Sequence, residues 1–296
     1  MKKEKKFDVV LMDMYGVIKF ADGTSKNVAE VMSKWQSEGI KIYILSNTTT
    51  LNEETKQGYR KQGLFEGIHY TDVLTSGEYA SEIIRAGKFP IKGKNCYVFG
   101  TADHKNPDAK VPEIFRGSDY CMVEDAAKAD FFYAGIPLKK DANGFVSELE
   151  LVQMQEFLPE IKKLAELNKP MVCANPDQIT CKDGRFVIRA GTVAKLFKEE
   201  GGNVVYFGKP DRCIFDALLA RYCPNTPKDR VLMIGDTLYT DIQGANECGI
   251  KSALVLKGGV TEFEMKQTKL DLVNYLMYQD IIPDYVWPKV SDKPLF

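Results

Sequence analysis

The sequence predicts an α/β protein built on a parallel sheet, and two observations carry that expectation. Short apolar runs recur at Val9 to Met12, Ile40 to Leu45, Val204 to Phe207, Val231 to Ile234 and Ala253 to Leu256, each ending in a small or polar residue. Runs that are apolar at nearly every position suit strands covered on both faces, as in parallel sheets. Between them apolar residues return at helical spacing: Val28, Val31, Met32 and Trp35 share one face, and Ile214, Ala217, Leu218 and Ala220 to Tyr222 do so more loosely. Strands and helices therefore alternate along the chain.

Taken in order, Met1-Lys2-Lys3-Glu4-Lys5-Lys6 reads as a solvated tail before the first strand. It resembles the charged start of a secretory signal, but Asp8 and Asp13 break the apolar stretch behind it and no cleavage site follows. The strand at Val9 to Met12, the helix around Val28 to Trp35 and the strand at Ile40 to Leu45 come next. The middle of the chain differs. Asn95 to Gly100, Asp130 to Gly135 and Pro170 to Ala174 are strand-like but are separated by long polar stretches and by one long helix, about Leu149 to Asn168. This predicts a second folding unit inserted into the first, with edges near Lys88 and Arg189, where Gly87, Pro90, Gly93 and Gly191 supply turn chemistry. Residues 1–88 and 190–296 then form the core and 89–189 the insertion. After Leu256 a helix is expected over Glu262 to Tyr278, followed by a proline-bearing tail, Gln279 to Phe296, packed on the core.

Composition narrows the function. Of 296 residues, 40 are Lys or Arg and 41 Asp or Glu, so the formal net charge is -1 and no overall field draws the protein to nucleic acid or to an anionic membrane. Partners should be small or neutral. The seven cysteines are odd in number, form no C-x-x-C pair and lie partly in apolar segments, which fits a reducing, cytoplasmic setting. No stretch has the apolar length needed to span a bilayer.

Four polar clusters directly follow predicted strands: Asp13; Ser46-Asn47-Thr48; Gly208-Lys209-Pro210; and Gly235-Asp236-Thr237 with Asp241 beyond it. In open parallel sheets the carboxyl ends of the strands converge on one crevice where ligands bind. The clusters are therefore expected to share one site. Taken singly, each is ordinary turn chemistry; Ser46 could cap the next helix and Lys209 could be a solvated surface lysine.

The ordered set resembles the four motifs of the haloacid dehalogenase (HAD) superfamily, most of whose members are Mg2+-dependent phosphohydrolases. Tyr206-Phe207-Gly208-Lys209-Pro210, Gly235 to Asp241 and Ala174-Asn175-Pro176-Asp177 resemble class IIA, the nitrophenylphosphatase-like group with a large C2 cap domain. The likeness runs from about Val9 to Gly259. It implies a Rossmann-like core with an inserted α/β cap, and Asp13 as a nucleophile that forms an aspartyl phosphate. It also implies a Mg2+ site from Asp13, Asp236 and the Tyr15 carbonyl, braced by Asp241. Ser46, Asn47 and Lys209 would stabilise the transferring phosphoryl group. Asn175 and Asp177 lead into a turn-rich segment with Arg185 and Arg189, which could meet the substrate body or be ordinary loop charges. A homodimer through the cap is a further implication.

The pattern breaks at Tyr15. Most members carry a second aspartate there, which protonates the leaving oxygen and then deprotonates the attacking water. A phenol is a poor base at neutral pH, so a slow enzyme is expected, biased towards aryl or acyl phosphates. Asp22, in the turn Phe20-Ala21-Asp22-Gly23, is either a turn residue or a substitute acid. The competing expectation is a catalytically weak or inactive protein that binds a phosphorylated ligand or a protein partner. The two histidines, His69 and His104, adjoin no motif, which argues against histidine or zinc chemistry. No Gly-x-Gly-x-x-Gly follows a predicted strand, which argues against a dinucleotide site.

Overall fold

The structure, a computed structural model, describes residues 5–20, 23–103, 106, 108–140, 146–182 and 185–290. The chain forms two compact units: Met1–Ser46, Asn52–Thr75 and Lys209–Phe296 make the first, Asn47–Leu51 and Ser76–Gly208 the second.

The first unit is organised on a six-stranded, fully parallel sheet. Its order is Tyr285–Trp287, Lys251–Val255, Val231–Gly235, Val9–Met12, Lys41–Ser46 and Asp72–Thr75. The first strand of the chain lies in the middle, with the next strand on one side and the returning Val231–Gly235 strand on the other. Strand order reverses there, which makes the carboxyl end of Val9–Met12 the switch point where such sheets bind ligands. The apolar runs are explained by burial: Val10, Leu11, Met12, Ile42, Ile44, Leu232 and Ile234 are all fully buried. Met32 and Trp35 of the helix Lys26–Ser37 pack on this layer. The Ser25 side chain caps that helix by accepting the Val28 N–H.

One expectation in this unit changes. The helix foreseen over Glu262 to Tyr278 is two helices, Val260–Thr268 and Leu272–Gln279. Lys269 between them adopts a left-handed backbone, φ 57°, and Asp271 starts the second helix by accepting the Asn274 N–H at 2.9 Å. The tail supplies the edge strand Tyr285–Trp287, and Trp287 and Val290 are buried in the core.

The second unit has its own five-stranded parallel sheet, ordered Val204–Tyr206, Met171–Cys173, Phe131–Ala134, Asn95–Phe99 and Cys121–Met122. Alternate residues feed two cores. Phe132, Ala134, Met171 and Cys173 face the helices Leu158–Glu166 and Ala190–Glu199, while Phe131, Tyr133 and Val172 pack with Phe115 and with Ala80 and Ile84 of the helix Ser76–Arg85. The unit is therefore wider than the expected 89–189. The run at Val204 to Phe207 is a half-buried edge strand of this second sheet and not a member of the first. Its residues looked like a core strand because an edge strand with one covered face can also be apolar throughout. The helix expected over Leu149 to Asn168 is a 3-10 segment, Leu151–Glu156, followed at Phe157 by Leu158–Glu166. Pro159 enforces the break, since a residue without an N–H is accommodated in a first turn.

Candidate active site

Asp13 stands at the switch point, its backbone N–H donating to the Ile234 carbonyl at 2.9 Å across the paired strands. Asp236 follows Gly235 at the end of the neighbouring strand. Asp241 lies in the wide helical turn Leu238–Ile242, and a side-chain oxygen from each of Asp13, Asp236 and Asp241 falls within 4.8 Å of the others. Gly235 permits this folding back, because a Cβ there would sit 2.1 Å from the Asp241 Cβ. Asp241 Oδ2 then accepts the backbone N–H groups of Asp236 and Thr237, both at 3.2 Å.

Asp236 is held on every side. Its Oδ1 accepts the Thr237 hydroxyl at 3.0 Å, its Oδ2 accepts the Val260 N–H at 2.7 Å, and its carbonyl accepts the Thr261 hydroxyl at 2.6 Å. Gly16, at φ +78°, and Gly259 press against it; a Cβ would come within 2.1 and 2.6 Å of its side chain. Removal from water, and then the charges of Asp13 and Asp241, push its carboxyl well above the ordinary range.

Among the described residues one cation answers this charge. Lys209, 1% exposed, donates to Asp13 Oδ1 at 2.5 Å and to Asp241 Oδ1 at 2.7 Å. The lysine does not sit at the tip of a strand of this sheet, as its motif suggested. It is the first residue of the segment that returns to the first unit. Three carboxyl groups face one ammonium, so the cluster offers hard oxygen donors and carries excess negative charge once they ionise. That composition fits a divalent cation such as Mg2+.

Residues 10–109 match the profile of haloacid dehalogenase-like hydrolases and residues 206–292 that of HAD-hydrolase-like proteins. Glycerol-3-phosphate phosphatase of Gallus gallus is 33% identical over 294 residues, covering 96% of this chain and 90% of the relative. The chain belongs to the haloacid dehalogenase-like hydrolases. The 4-nitrophenylphosphatase of Schizosaccharomyces pombe is 24% identical over 264 residues, 88% of this chain and 86% of that one. A haloacid dehalogenase-like hydrolase structure from Brucella suis shares the fold with a TM-score of 0.75 at 21% identity, covering 95% of this chain and 94% of that one.

The other motif residues of this HAD-like hydrolase fall in two groups. Ser46, 3% exposed, closes the Lys41–Ser46 strand in register with Thr75, inside the first unit. Tyr15 lies in the turn after the first strand, 47% exposed, with the Lys19 ammonium 5.1 Å from its ring centroid. Its side chain is thus a half-solvated aromatic in place of a carboxylate. Asn47 belongs to the second unit, where its Nδ2 donates to Asp177 Oδ1 at 2.8 Å and Asn175 Oδ1 accepts the Asp177 N–H at 3.1 Å. Asn47, Asn175 and Asp177 therefore form one hydrogen-bonded set. Arg189 is tied to Glu148 at 2.7 Å with both side chains largely buried, and Arg185 pairs with Glu150 at 3.6 Å. Asp22 and His104 lie outside the described residues. His69 Nδ1 accepts the Phe65 N–H at 3.0 Å, and burial lowers its pKa.

Sequence reasoning missed Val260 and Thr261. Their signal was present: Gly258-Gly259-Val260-Thr261 directly follows the Lys251–Val255 strand region, as the four recognised clusters follow theirs. No helix among the described residues is long and apolar enough to cross a membrane.

Proposed function

We propose that this phosphoric monoester hydrolase acts slowly on a small phosphorylated metabolite, with Mg2+ as cofactor and Asp13 as nucleophile. The observation that carries the reading is the contact of the buried Lys209 ammonium with Asp13 and Asp241 inside a cluster that keeps excess negative charge. Asp13, Asp236 and the Tyr15 carbonyl would hold the metal, with Asp241 bracing the site. When bound, the ion would offset phosphoryl charge and restore balance to the carboxylates.

The chain's own residues account for the rest. Lys209 fixes the orientation of the Asp13 carboxylate, so its attack on phosphorus starts from a set geometry. As the bond from the Asp13 oxygen to phosphorus forms, the ester P–O bond breaks and its electron pair leaves with the alcohol oxygen. Water then attacks the same phosphorus, the acyl phosphate bond breaks, and Asp13 returns as a carboxylate beside inorganic phosphate. Lys209 keeps positive charge beside the phosphoryl oxygens in both steps, and Ser46 and Asn47 would add neutral donors. With Tyr15 where an aspartate would relay protons, the leaving oxygen takes its proton from water. Positioned proton transfer is worth about 10²- to 10⁴-fold, so the rate falls without vanishing. Leaving groups that need little protonation, such as aryl or acyl, fit this site best.

The second unit is the cap in this reading, and Asn175 and Asp177 help to choose the substrate; pairing of two copies through it, in the cytoplasm, completes the proposal. The test is p-nitrophenyl phosphate hydrolysis with Mg2+ by the protein and by Asp13→Asn. Loss of turnover in the variant is expected, and equal rates would remove Asp13 from its role. Tyr15 also favours a second reading, a non-catalytic phosphometabolite binder. Inorganic phosphate raising the melting temperature, with no turnover over hours, would support that reading instead.

A further inference from the structure

We infer that the first unit carries a second anion-binding site, a lysine-lined cleft suited to a small ligand with two adjacent phosphate-like groups. The cleft measures about 590 Å³ and is bordered by Lys26, Lys257 and Lys289, with Phe20 and Gly258 in its walls. Three segments far apart in sequence deliver the three lysines: the start of the helix Lys26–Ser37, the loop after the strand Lys251–Val255, and the stretch beyond the strand Tyr285–Trp287. Among the described residues none of the three makes a hydrogen bond or an ion pair with a side chain.

The single acid among the described lining residues does not neutralise them. Glu262 accepts the Gly258 N–H at 2.9 Å and pairs with Lys266 at 3.0 Å, so both its oxygens are engaged, and Lys257 acts on it only at a distance. Like charges brought together without partners repel, and a ligand of opposite charge relieves that cost. Three point charges spread around a cleft of this size suit a pyrophosphate-like group better than a single phosphate, because lysine binds phosphate as a mobile point charge without bidentate geometry.

This site is not the catalytic one. The Asp13, Asp236 and Asp241 cluster has its lone lysine already committed and, without metal, repels anions. The two are joined through the chain: Lys257 and Gly258 line the cleft, and Val260 and Thr261, just beyond, hold Asp236. A ligand seated in the cleft therefore rests on the segment that fixes a candidate metal carboxylate.

Calorimetric titration of the full chain with inorganic pyrophosphate in excess chelator tests the site, since metal-dependent binding at Asp13 is then silent. Saturable one-to-one binding that weakens as salt rises is expected. In the double variant Lys257→Gln/Lys289→Gln affinity should drop roughly tenfold or more, with the melting temperature and p-nitrophenyl phosphate hydrolysis unchanged. Absence of binding at millimolar pyrophosphate would overturn the inference, as would equal affinity in the double variant. Loss of binding in Asp13→Asn would place the ion in the catalytic cluster and also overturn it. None of these outcomes depends on turnover, so failure here leaves the catalytic reading standing.

Discussion

Lys209 and Asp13 lie 196 residues apart in sequence and 2.5 Å apart in space, with the lysine almost fully buried. The contact joins the first strand of the first unit to the start of its last segment, with the whole of the second unit between them in sequence. A buried charge pair of this kind contributes little to net stability but is costly to break from one side, because the partner is left unpaired.

Replacing the lysine should therefore show in stability and rate together. Lys209→Met is expected to lower unfolding free energy by about 3 kcal/mol or more in chelator, with Mg2+ recovering part of the loss. Turnover should fall by roughly 10²-fold or more. Thermal melts with and without Mg2+, beside p-nitrophenyl phosphate kinetics, read both effects; a fully stable variant would show that the carboxylates are not charged together.

Asp236 gives a pH prediction with a definite sign. Its carboxyl is held far above the 3.8 of the unfolded chain by burial and by Asp13 and Asp241. Between 3.8 and its folded pKa the native state keeps a proton that the unfolded state has released, so stability declines as pH rises through that window. In chelator, Asp236→Asn should remove this decline and be the more stable protein at pH 7. It should also lack the Mg2+-induced rise in melting temperature expected of the native sequence.

Gly16 tests the same carboxylate sterically. Gly16→Ala places a Cβ 2.1 Å from Asp236 Oδ2 in a backbone conformation, φ +78°, that alanine disfavours. The expected outcome is a large loss of Mg2+ affinity in a metal titration; unchanged affinity would mean that Asp236 is not a metal ligand.

At Tyr15 a carboxylate should restore the missing proton transfer. Tyr15→Asp is expected to raise kcat on an alkyl phosphate by about 10²-fold or more and to change aryl phosphate turnover much less. Parallel kinetics on the two substrates decide it, and no gain on the alkyl ester would show that the proton relay is not what limits this site.

Far from the site, Lys56 bonds Asp72 at 2.5 Å. Burial alone would raise the Asp72 carboxyl, but the Lys56 and Val73 hydrogen bonds outweigh it and bring it below 3.8. The pair then stabilises the fold above 3.8 and loses that effect as pH falls through the lowered value. Lys56→Met should cost about 1 kcal/mol at pH 7, shrinking towards zero in strong acid, as chemical denaturation at the two pH values would show.

The local terms are legible in the order of the amino acids alone. The apolar runs ending at Asp13, Ser46 and Asp236 were legible because a strand buried on both faces must be apolar throughout, and a carboxylate cannot lie inside it unpaired. The strand Asp72–Thr75 escaped notice because polar residues occupy both its ends, and the edge strand Val204–Tyr206 looked like a core strand although it belongs to the other sheet. The folded arrangement alone reveals that Lys209 bridges Asp13 and Asp241, that Val260 and Thr261 grip Asp236, and that Asn47 pairs with Asp177. The reason is physical: a run of side chains records how much water its own segment will lose, whereas a contact between distant segments depends on where the sheet order and its crossovers bring their ends.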